Sequence, residues 1–515
     1  MGARYAIIVA AGLALAGGTA AAAPTENRVA VRVVDDFPLT RYAKTGAVGV
    51  MVPASGSRVS RASAYASLVR GKLENSLLGG KPSGKPLISV GGPPAAITIF
   101  VVLPPPGEHH NLDRYPIAVV GNGYRGLLVS SATRVRGLVS IADVAPTVRS
   151  LQKGETPILT SRAAGDLPGE VAEMNARLDA AHHARKTSTR VLIGLVFGFA
   201  ALAWAFRSAL FARAALLAVP AMVLSSTVAS ALHVERAVPW WSGAIALALT
   251  VPLAVFSSTR ASFALALTGL LGAYAVFLGF SRETVSLAAL GPHPEGGGRF
   301  YGLTNQIETL LLAPALVLGA LIELPLMVVV ALASLVVVGW SRFGADGGGL
   351  IVYAAGFATL ALLRARPTPA RAVAAAAAAA VVALALVGLD ALTGGSSHVT
   401  HAVGGGPSSL LSDLGHRLHL SWQGIVNKRD HLEIAIVSLA TLVTLALLRP
   451  RSRPVDALLV ALAVSLLVND SGFDVLRFGA LVAIAVFTVS RLTADAPRPR
   501  RPAWSFGPDA RRLWL

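Results

Sequence analysis

Long apolar runs, each of a length that crosses a lipid bilayer, dominate the chain from Val191 onward. We count about eleven of them, and their centres lie near residues 198, 223, 247, 270, 312, 333, 356, 382, 440, 461 and 483. Of the 515 residues, 54% are hydrophobic and only 14% are charged, and a soluble protein of this length is not so apolar. The sequence therefore predicts a mainly α-helical protein that crosses the membrane many times.

The positive charge is distributed in a way that predicts the orientation of the chain. Arginine recurs in alternate short loops between the apolar runs and again in the C-terminal tail. The loop arginines are Arg207, Arg213, Arg260, Arg364, Arg366, Arg371, Arg449, Arg451 and Arg453. Because cytoplasmic loops are enriched in Lys and Arg, we expect these loops and the C-terminus to be cytoplasmic. The formal net charge of +18 then reflects topology, and we expect no nucleic-acid partner.

Three successive segments precede the membrane domain. Residues 1–23 have an early arginine, an apolar stretch and a small-residue end, which is the pattern of a secretory signal peptide, with an uncleaved anchor as the alternative. The short β-rich runs in residues 24–166 predict an extracytoplasmic α/β domain. Residues 167–190 predict an amphipathic helix that connects this domain to the membrane.

The α/β domain is predicted from short β-rich runs and one stretch with helical spacing, Ser60 to Leu77. The β-rich runs are Val29–Val34, Ala47–Val52, Ile97–Leu103, Ile117–Val120, Gly126–Val129 and Leu138–Ile141. Several of these runs are apolar throughout, without the alternation of a half-exposed strand. We therefore expect a parallel sheet that is covered on both faces.

The rest of the chain divides into a transmembrane helical domain, residues 191–491, and a basic cytoplasmic tail, residues 492–515. In the predicted orientation, every long polar and glycine-rich segment of the membrane domain falls on the outer side. These segments are residues 282–304, 342–349, 393–431 and 469–474. We therefore expect a multi-pass plasma-membrane protein whose chemistry or binding takes place outside the cytoplasm.

One segment, Gly291 to Leu312, runs from a glycine-rich loop into an apolar helix and concentrates functional residue types. Tyr301, Asn305 and Glu308 stand at i, i+4 and i+7, which places them on one face of a helix. Ionisable groups at the mouth of a membrane helix are costly and favour a functional interpretation. A structural interpretation stays open, in which Asn305 is the N-cap and Glu308 its partner in a variant of the capping box.

Three residues are candidates for acid–base catalysis, namely Glu308, His398 and Asp413. His398 belongs to a polar loop, and Asp413 stands three residues before His416 on a predicted interfacial helix, Ser408 to Gln423. Solvated loop histidines and ordinary surface pairs explain these spacings equally well. The chain has no cysteine, which excludes disulfides and thiolate metal sites, and no spacing specifies a metal or another cofactor.

Six residues are candidates for binding a substrate phosphate, because arginine forks and polar side chains suit that group. They are Arg299, Tyr301, Asn305, Arg342, Arg429 and Arg477. An arginine within a membrane helix is expected to pair with a carboxylate or to extend to the interface. The carboxylates at a similar predicted depth to Arg477 are Glu308, Asp390, Asp470 and Asp474. Asp346, beside a triple glycine, occupies the place of a helix N-cap.

One stretch of the α/β domain resembles a known superfamily. From Gly126 to Thr147 the chain reads GLLVSSATRVRGLVSIADVAPT, in which a Thr-Arg turn precedes a GLV…D.APT segment. This is similar to the C-terminal strand–loop–helix of alkaline phosphatase/sulfatase-like domains. The upstream metal-binding aspartates and nucleophilic Ser or Thr of that superfamily have no match here, so the resemblance implies a shortened, non-catalytic relative.

The membrane half also carries a resemblance, through the segments FYGLTNQIETLL, GADGGG, GGSSHVTHAVGGGP and LLVNDSG. It looks like large uncharacterised bacterial membrane proteins that carry such an ectodomain. This resemblance supplies no reaction. It implies a location in the cell envelope and a bacterial, actinobacterial-type origin.

Three functions fit these observations. The first is an envelope enzyme that acts on a lipid-linked glycan or phospholipid at the outer leaflet, with membrane lipid or a lipid-linked substrate as its partner. The second is a transporter or flippase, for which Pro220, Pro252 and Pro314 supply possible helix breaks. The third is a non-catalytic assembly or scaffold protein, for which the sequence identifies no protein partner.

Overall fold

A computed structural model of the chain describes residues 28–73, 85–93, 95–365, 368–392 and 407–494. The predicted signal peptide, the candidate residue His398 and the tail from residue 495 lie outside the described residues. Within them, an N-terminal α/β domain is followed by a bundle of apolar helices. This agrees with the predicted fold class.

The described part of the N-terminal domain has nine strands and two α-helices. They are β1 (Val29–Val34), β2 (Gly46–Val52), β3 (Arg58–Ser60), α1 (Arg61–Arg70), β4 (Ile97–Val102), β5 (Glu108–His110), β6 (Tyr115–Gly121), β7 (Gly126–Ser130), β8 (Leu138–Ser140), α2 (Val144–Lys153) and β9 (Leu159–Arg162). All six β-rich runs form strands at or within two residues of the predicted bounds. Helix α1 lies within the stretch predicted as helical, Ser60 to Leu77, but ends at Arg70, because Gly71 adopts the left-handed conformation of a C-cap. The short strands β3, β5 and β9 were not predicted, because their residues are mostly polar and form no apolar run.

Seven of these strands form one mixed sheet in the order β1-β4-β6-β2-β7-β9, with β8 also paired to β2. Strand β1 is parallel to β4, and β2 is parallel to β7 and β8. Strand β6 is antiparallel to both of its neighbours, and β9 is antiparallel to β7. The prediction of a parallel sheet is therefore wrong. Continuously apolar strands report burial on both faces, and a mixed sheet with two covered faces produces the same pattern.

Both faces of the sheet are covered, as the apolar strands required. Helices α1 and α2 cover one face, where Leu68 and Val148 pack against Ile99. The other face packs against the first half of a long helix, through Val171 and Leu178. Leu287 and Phe300 from the membrane half complete this second core, which therefore includes residues from both parts of the chain.

The membrane half consists of helices connected mostly by short loops. The described helices are α3 (Leu167–Ala205), α4 (Ala209–Ala231), α5 (Val238–Phe256), α6 (Arg260–Phe280), α7 (Arg282–Ser286), α8 (Asn305–Leu321), α9 (Leu324–Gly339), α10 (Gly347–Arg364), α11 (Pro369–Leu392), α12 (Pro407–Val426), α13 (Arg429–Leu447), α14 (Arg453–Val468) and α15 (Gly472–Ala494). The predicted connecting helix and the first predicted span form one continuous helix, α3. Aspartate at its N-cap and proline near its start favour initiation there.

Eight of the described helices are long and apolar enough to cross a membrane. This makes the chain a multi-pass integral membrane protein. A helix lies at each of the predicted centres, but α8 and α9 are apolar and shorter, and α14 has 16 residues. The predicted number of eleven spans is therefore not confirmed.

Helix α8 is the central element of the bundle. Every residue from Gln306 to Gly319 is buried, whereas most helices of the bundle expose one apolar face. Its neighbours are α4, α6, α9, α10, α14 and α15. A helix that is buried all round fixes the positions of the helices around it.

The N-terminal domain contacts the membrane half through the segment that follows α7. The Asn111 side-chain amide donates hydrogen bonds to the carbonyl oxygens of Ala54 (2.9 Å), Gly56 (3.0 Å) and Gly296 (3.3 Å). The Gly56 amide donates to the Gly296 carbonyl at 3.1 Å. Residues 287–300 thus lie between the two parts of the chain and contact both.

Gly297 permits this close approach, and its replacement tests the contact. Its φ of +65° is in the left-handed region, and an added Cβ would collide with the Ala54 carbonyl oxygen. The left-handed conformation alone costs a non-glycine residue about 1–2 kcal/mol. We expect Gly297→Ala to lower the midpoint of thermal unfolding and to speed proteolysis between the two parts of the chain.

Gly298→Ala is the matched control for this experiment. The neighbouring glycine has no atom within 4 Å of an added Cβ and does not have a positive φ. We expect Gly298→Ala to behave like the unmodified protein. Equal thermal midpoints and equal proteolysis rates for the two variants would contradict the described junction.

Candidate functional site

The start of α8 is capped by a residue other than the one predicted. Thr304 is the N-cap, and its hydroxyl accepts a hydrogen bond from the Ile307 amide at 3.3 Å. The capping prediction for Asn305 is therefore wrong. Asn305 instead donates from its side-chain amide to Asp470 Oδ1 at 2.8 Å. Thr and Asn are both good N-caps, and only the position of the first helical turn decides between neighbours.

The Glu308 carboxylate is fully buried between three helices of the bundle. Its Oε2 accepts a hydrogen bond from the Asn469 side-chain amide at 3.1 Å, and the same amide donates to the Ser465 hydroxyl at 2.9 Å. The Tyr353 hydroxyl donates to the Glu308 main-chain carbonyl at 3.2 Å. Glu308 Oε1 has no hydrogen-bond partner among the described residues. Such an orphaned carboxylate oxygen is costly in a protein interior.

Asp346 lies beside Glu308 and is the N-cap of α10, as its place in the sequence predicted. Its Oδ1 accepts from the Gly349 amide at 3.2 Å, and its Oδ2 accepts from Arg299 Nη1 at 3.1 Å. A Cβ added to Gly349 would lie 3.0 Å from Glu308 Cδ. The two carboxylates therefore approach Gly349 from two sides. We call Glu308, Asp346, Asn469 and Arg299 the carboxylate centre.

A second group of polar side chains surrounds Tyr301. The Arg134 guanidinium carbon lies 3.8 Å from the centre of the Tyr301 ring, and Nη1 donates to the Ser341 carbonyl at 2.6 Å. Burial lowers the pKa of Arg282, and the positive charges of Arg134 and Arg342 lower it further. Within the described residues, neither Arg282 nor Arg342 forms an ion pair with a carboxylate. We call Arg134, Arg282 and Arg342 the arginine cluster.

Two of the predicted phosphate-binding arginines lie away from the arginine cluster. Arg477 donates to Asp474 at 2.9 Å, and its guanidinium lies 4.2 Å from the Phe478 ring centre. Arg429 forms an exposed pair with Glu433 at 3.0 Å. Asp474 is one of the four predicted carboxylate partners of Arg477.

The remaining site predictions fall into two groups. Glu308 and Asn305 lie in or next to the carboxylate centre, together with Arg299, while Tyr301 and Arg342 belong to the surroundings of Arg134. The side chains of Asp390 and Asp413 lie outside the described residues, as does His398. The catalytic and binding roles assigned to all these residues stay predictions.

The sequence did not identify a third polar centre, at the junction of the two parts of the chain. Glu295 is buried and accepts from Arg185 Nη1 at 2.5 Å, with His182 Nδ1 at 3.2 Å from the same oxygen. Burial alone would raise the pKa of Glu295, but the hydrogen bond to His182 and the charge of Arg185 hold it well below its usual range. Burial, and then Arg185, lower the pKa of His293 to about 3.

We call Glu295, Arg185, His182 and His293 the junction centre. It opens onto a cleft of about 440 Å³ between the N-terminal domain and α3. Residues that line the cleft include Arg114, Asp179, His182 and Glu295. Glu295 follows His293-Pro294 in a segment rich in glycine and proline. The glycine and proline content of this segment predicted a loop. No residue near Glu295 in the sequence indicated that its partner is an arginine of the distant helix α3.

The motif that resembles alkaline phosphatase-like domains has an internal structural role in this chain. Asp143 accepts from the Ser130 hydroxyl at 2.7 Å and from the Ser140 amide at 2.9 Å, and burial raises its pKa to about 6. The Thr147 hydroxyl donates to the Asp143 carbonyl at 2.6 Å. In the described part of the chain, no three His, Cys, Asp or Glu residues are grouped so as to hold a metal ion.

Comparisons with protein-family models, with curated proteins and with solved structures gave no match to this chain. The resemblance to alkaline phosphatase-like domains and the bacterial origin therefore stay predictions.

Acid is expected to weaken the junction centre, because His293 is held neutral there. Its pKa of about 3 lies below the ordinary value of 6.5, so the unfolded chain takes up a proton that the folded chain refuses. Stability is therefore lost as the pH falls from 7 toward 4. Glu295 acts in the same direction at lower pH, whereas Asp143, with its raised pKa, acts in the opposite direction.

We expect His293→Gln to reduce this acid sensitivity when thermal unfolding is measured across that pH range. The contribution of Asp143 is common to both proteins and cancels in the comparison. His110→Gln removes an exposed histidine outside the junction and serves as the control. An acid dependence that is unchanged in His293→Gln would show that His293 titrates normally.

Proposed function

We propose that this membrane protein acts on a phosphate-bearing lipid, a phospholipid or a lipid-linked glycan, at the membrane surface next to its N-terminal domain. In the orientation predicted from the loop arginines, that surface is the outer leaflet of the plasma membrane. The observation that carries the proposal is the arginine cluster, which combines three positive charges from two parts of the chain and has no ion pair with a carboxylate among the described residues.

The chemistry of the cluster favours a phosphate. Guanidinium groups bind phosphate oxygens through paired, charge-assisted hydrogen bonds. Burial and mutual repulsion lower the pKa of Arg282, and an anion between the arginines would relieve both costs. Arg134 is held in place by the Tyr301 ring and the Ser341 carbonyl, so its charge is ordered before a ligand arrives.

The position of the cluster favours a lipid as the source of that phosphate. Arg282 begins α7 immediately after α6, and Phe280 at the end of α6 is 78% exposed. Phe343, next to Arg342, packs against Gly279 of the same helix end. Exposed aromatic and basic side chains at the end of a membrane helix are typical of the headgroup region.

The carboxylate centre does not supply an evident catalytic group for this substrate. Glu308 is fully buried, and Asp346 is engaged by Arg299 and the Gly349 amide. An enzymatic reaction would therefore depend on His398 or Asp413, whose side chains lie outside the described residues. Transport of the lipid and assembly of an envelope complex are the alternative uses of the same binding site.

The test is lipid binding by the full-length protein and by Arg282→Gln/Arg342→Gln. A hydrogen bond to a charged group contributes about 1.5–3 kcal/mol, and about 1.4 kcal/mol is a factor of ten in affinity. We expect the double variant to bind phosphatidylglycerol or a polyprenyl phosphate at least about tenfold more weakly. Binding of diacylglycerol, which has no phosphate, should change little.

The control is Arg236→Gln, which removes an exposed arginine from the connection between α4 and α5. That connection lies at the same end of the bundle, where Arg177 of α3 donates to the Ser230 carbonyl at 3.1 Å. An equal loss of affinity in the control and the double variant would show that the lipid responds to the general positive charge of the surface and not to the arginine cluster. That result would overturn the proposal. Assays of product formation and of bilayer transfer on the same samples then separate enzyme, flippase and assembly protein.

A further inference from the structure

The carboxylate centre holds more negative than positive charge, and both of its carboxylates are buried. Among the described residues, Arg299 forms an ion pair only with Asp346. An isolated charge in a protein interior is very costly unless another charge neutralises it. The described side chains therefore supply one positive charge too few to neutralise both buried carboxylates.

The geometry indicates where that charge belongs. The Asn469 amide donates to Glu308 Oε2, whereas Oε1 is also buried and has no donor among the described residues. A Cβ added to Gly349 would press on the Glu308 carboxyl group. A Cβ added to Gly348 would collide with Asn469 Oδ1 and lie 3.6 Å from Asp346 Oδ1. The two glycines thus allow the Glu308 carboxyl group and the Asn469 amide oxygen to pack closely against the start of α10.

From this we infer that the carboxylate centre is a binding site for one monovalent cation, H⁺ or Na⁺, held against Glu308 Oε1. Oxygen ligands suit hard cations, and a protonated carboxyl group meets the same charge requirement. Two carboxylates, one of them already paired with Arg299, leave a single negative charge to balance. That count favours a monovalent ion over a divalent one, which takes more oxygen ligands.

The groups that face Glu308 come from each of the elements that form the centre. Asp346 and Tyr353 belong to α10 and its N-cap, while Asn469 and Asp470 follow α14. Arg299 from the preceding loop is the positive group among them. Occupancy of the site would therefore stabilise the contacts of α8, α10 and α14 together, around a helix that is buried over most of its length.

The experiment measures thermal unfolding of the full-length protein in lipid nanodiscs. NaCl is compared with choline chloride at equal ionic strength, from mildly acidic to mildly alkaline pH. Three proteins are compared: the unmodified chain, Glu308→Gln and the control Glu323→Gln. Glu323 is an exposed carboxylate with no side-chain capping bond, so its replacement makes the same chemical change outside the centre.

A bound cation raises the unfolding midpoint, because only the folded chain binds it. For a Na⁺ site we expect a rise of about 5 °C in NaCl for the unmodified chain and Glu323→Gln, and none for Glu308→Gln. For a proton site we expect acidification to raise the midpoint of the unmodified chain relative to that of Glu308→Gln, independently of Na⁺, because the acid-sensitive contribution of His293 is common to both proteins. Equal responses of the unmodified chain and Glu308→Gln to Na⁺ and to acid would overturn the inference.

A second measurement applies if Glu308→Gln does not fold. Radioactive Na⁺ retained by the immobilised unmodified protein, and released by acid, supports a site that binds either ion. Absence of retained Na⁺, together with an unfolding midpoint that does not rise on acidification in a His293→Gln background, would overturn the inference. Both measurements are independent of the arginine cluster and of the proposed lipid substrate.

Discussion

The arrangement of the helical bundle depends on the polar contacts around the first turn of one buried helix, α8. Helix α8 is buried along almost its whole length, and its first turns place Glu308 where no solvent reaches. A buried carboxylate has to be matched by donors from other elements, so Asn469 and the Asp346–Arg299 pair fix α10 and α14 against α8. The Tyr353 hydroxyl, bonded to the Glu308 carbonyl, adds a further link. Polar contacts therefore determine the arrangement of an otherwise apolar bundle, in which Leu and Ala side chains pack without directional preference.

The sequence was sufficient for features that depend on local pattern and insufficient for those that depend on distant partners. The six apolar strands, the helix at each predicted span centre and the Asp346 cap follow from periodicity and capping chemistry. The direction of the strands does not, because burial on both faces is the same for a parallel and a mixed sheet. Thr304 caps α8 in place of Asn305 because a one-residue shift of the helix start leaves the pattern unchanged. The contacts of Arg134 with Tyr301 and of Glu295 with Arg185 join segments far apart in the chain, and no local spacing predicts them.

These distant contacts make the N-terminal domain and the membrane half one structural unit. The sheet is covered on one face by α3, which continues directly into the bundle, and by Leu287 and Phe300 from the intervening segment. The arginine cluster takes one member from the domain and two from the membrane half, so it exists only when the two are in contact. If the N-terminal domain moved freely as a separate module, Arg134 would not stay beside Arg282 and Arg342, and the arginine cluster would not form. The Thr-Arg turn that resembled a phosphatase-like motif supplies Arg134 to the junction.

The most direct test of this account is chemical cross-linking at the junction in intact cells. Arg136 and Glu283 form an ion pair at 2.9 Å across the junction. Because the chain has no cysteine of its own, the two cysteines of Arg136→Cys/Glu283→Cys are the only thiols in the protein with which a reagent can react. A short bifunctional thiol reagent that does not cross membranes should join the two positions from outside, while either single cysteine gives no internal cross-link. Two positions that are each labelled from outside but never joined would contradict the docked arrangement. Labelling only after the cells are opened would contradict the predicted orientation.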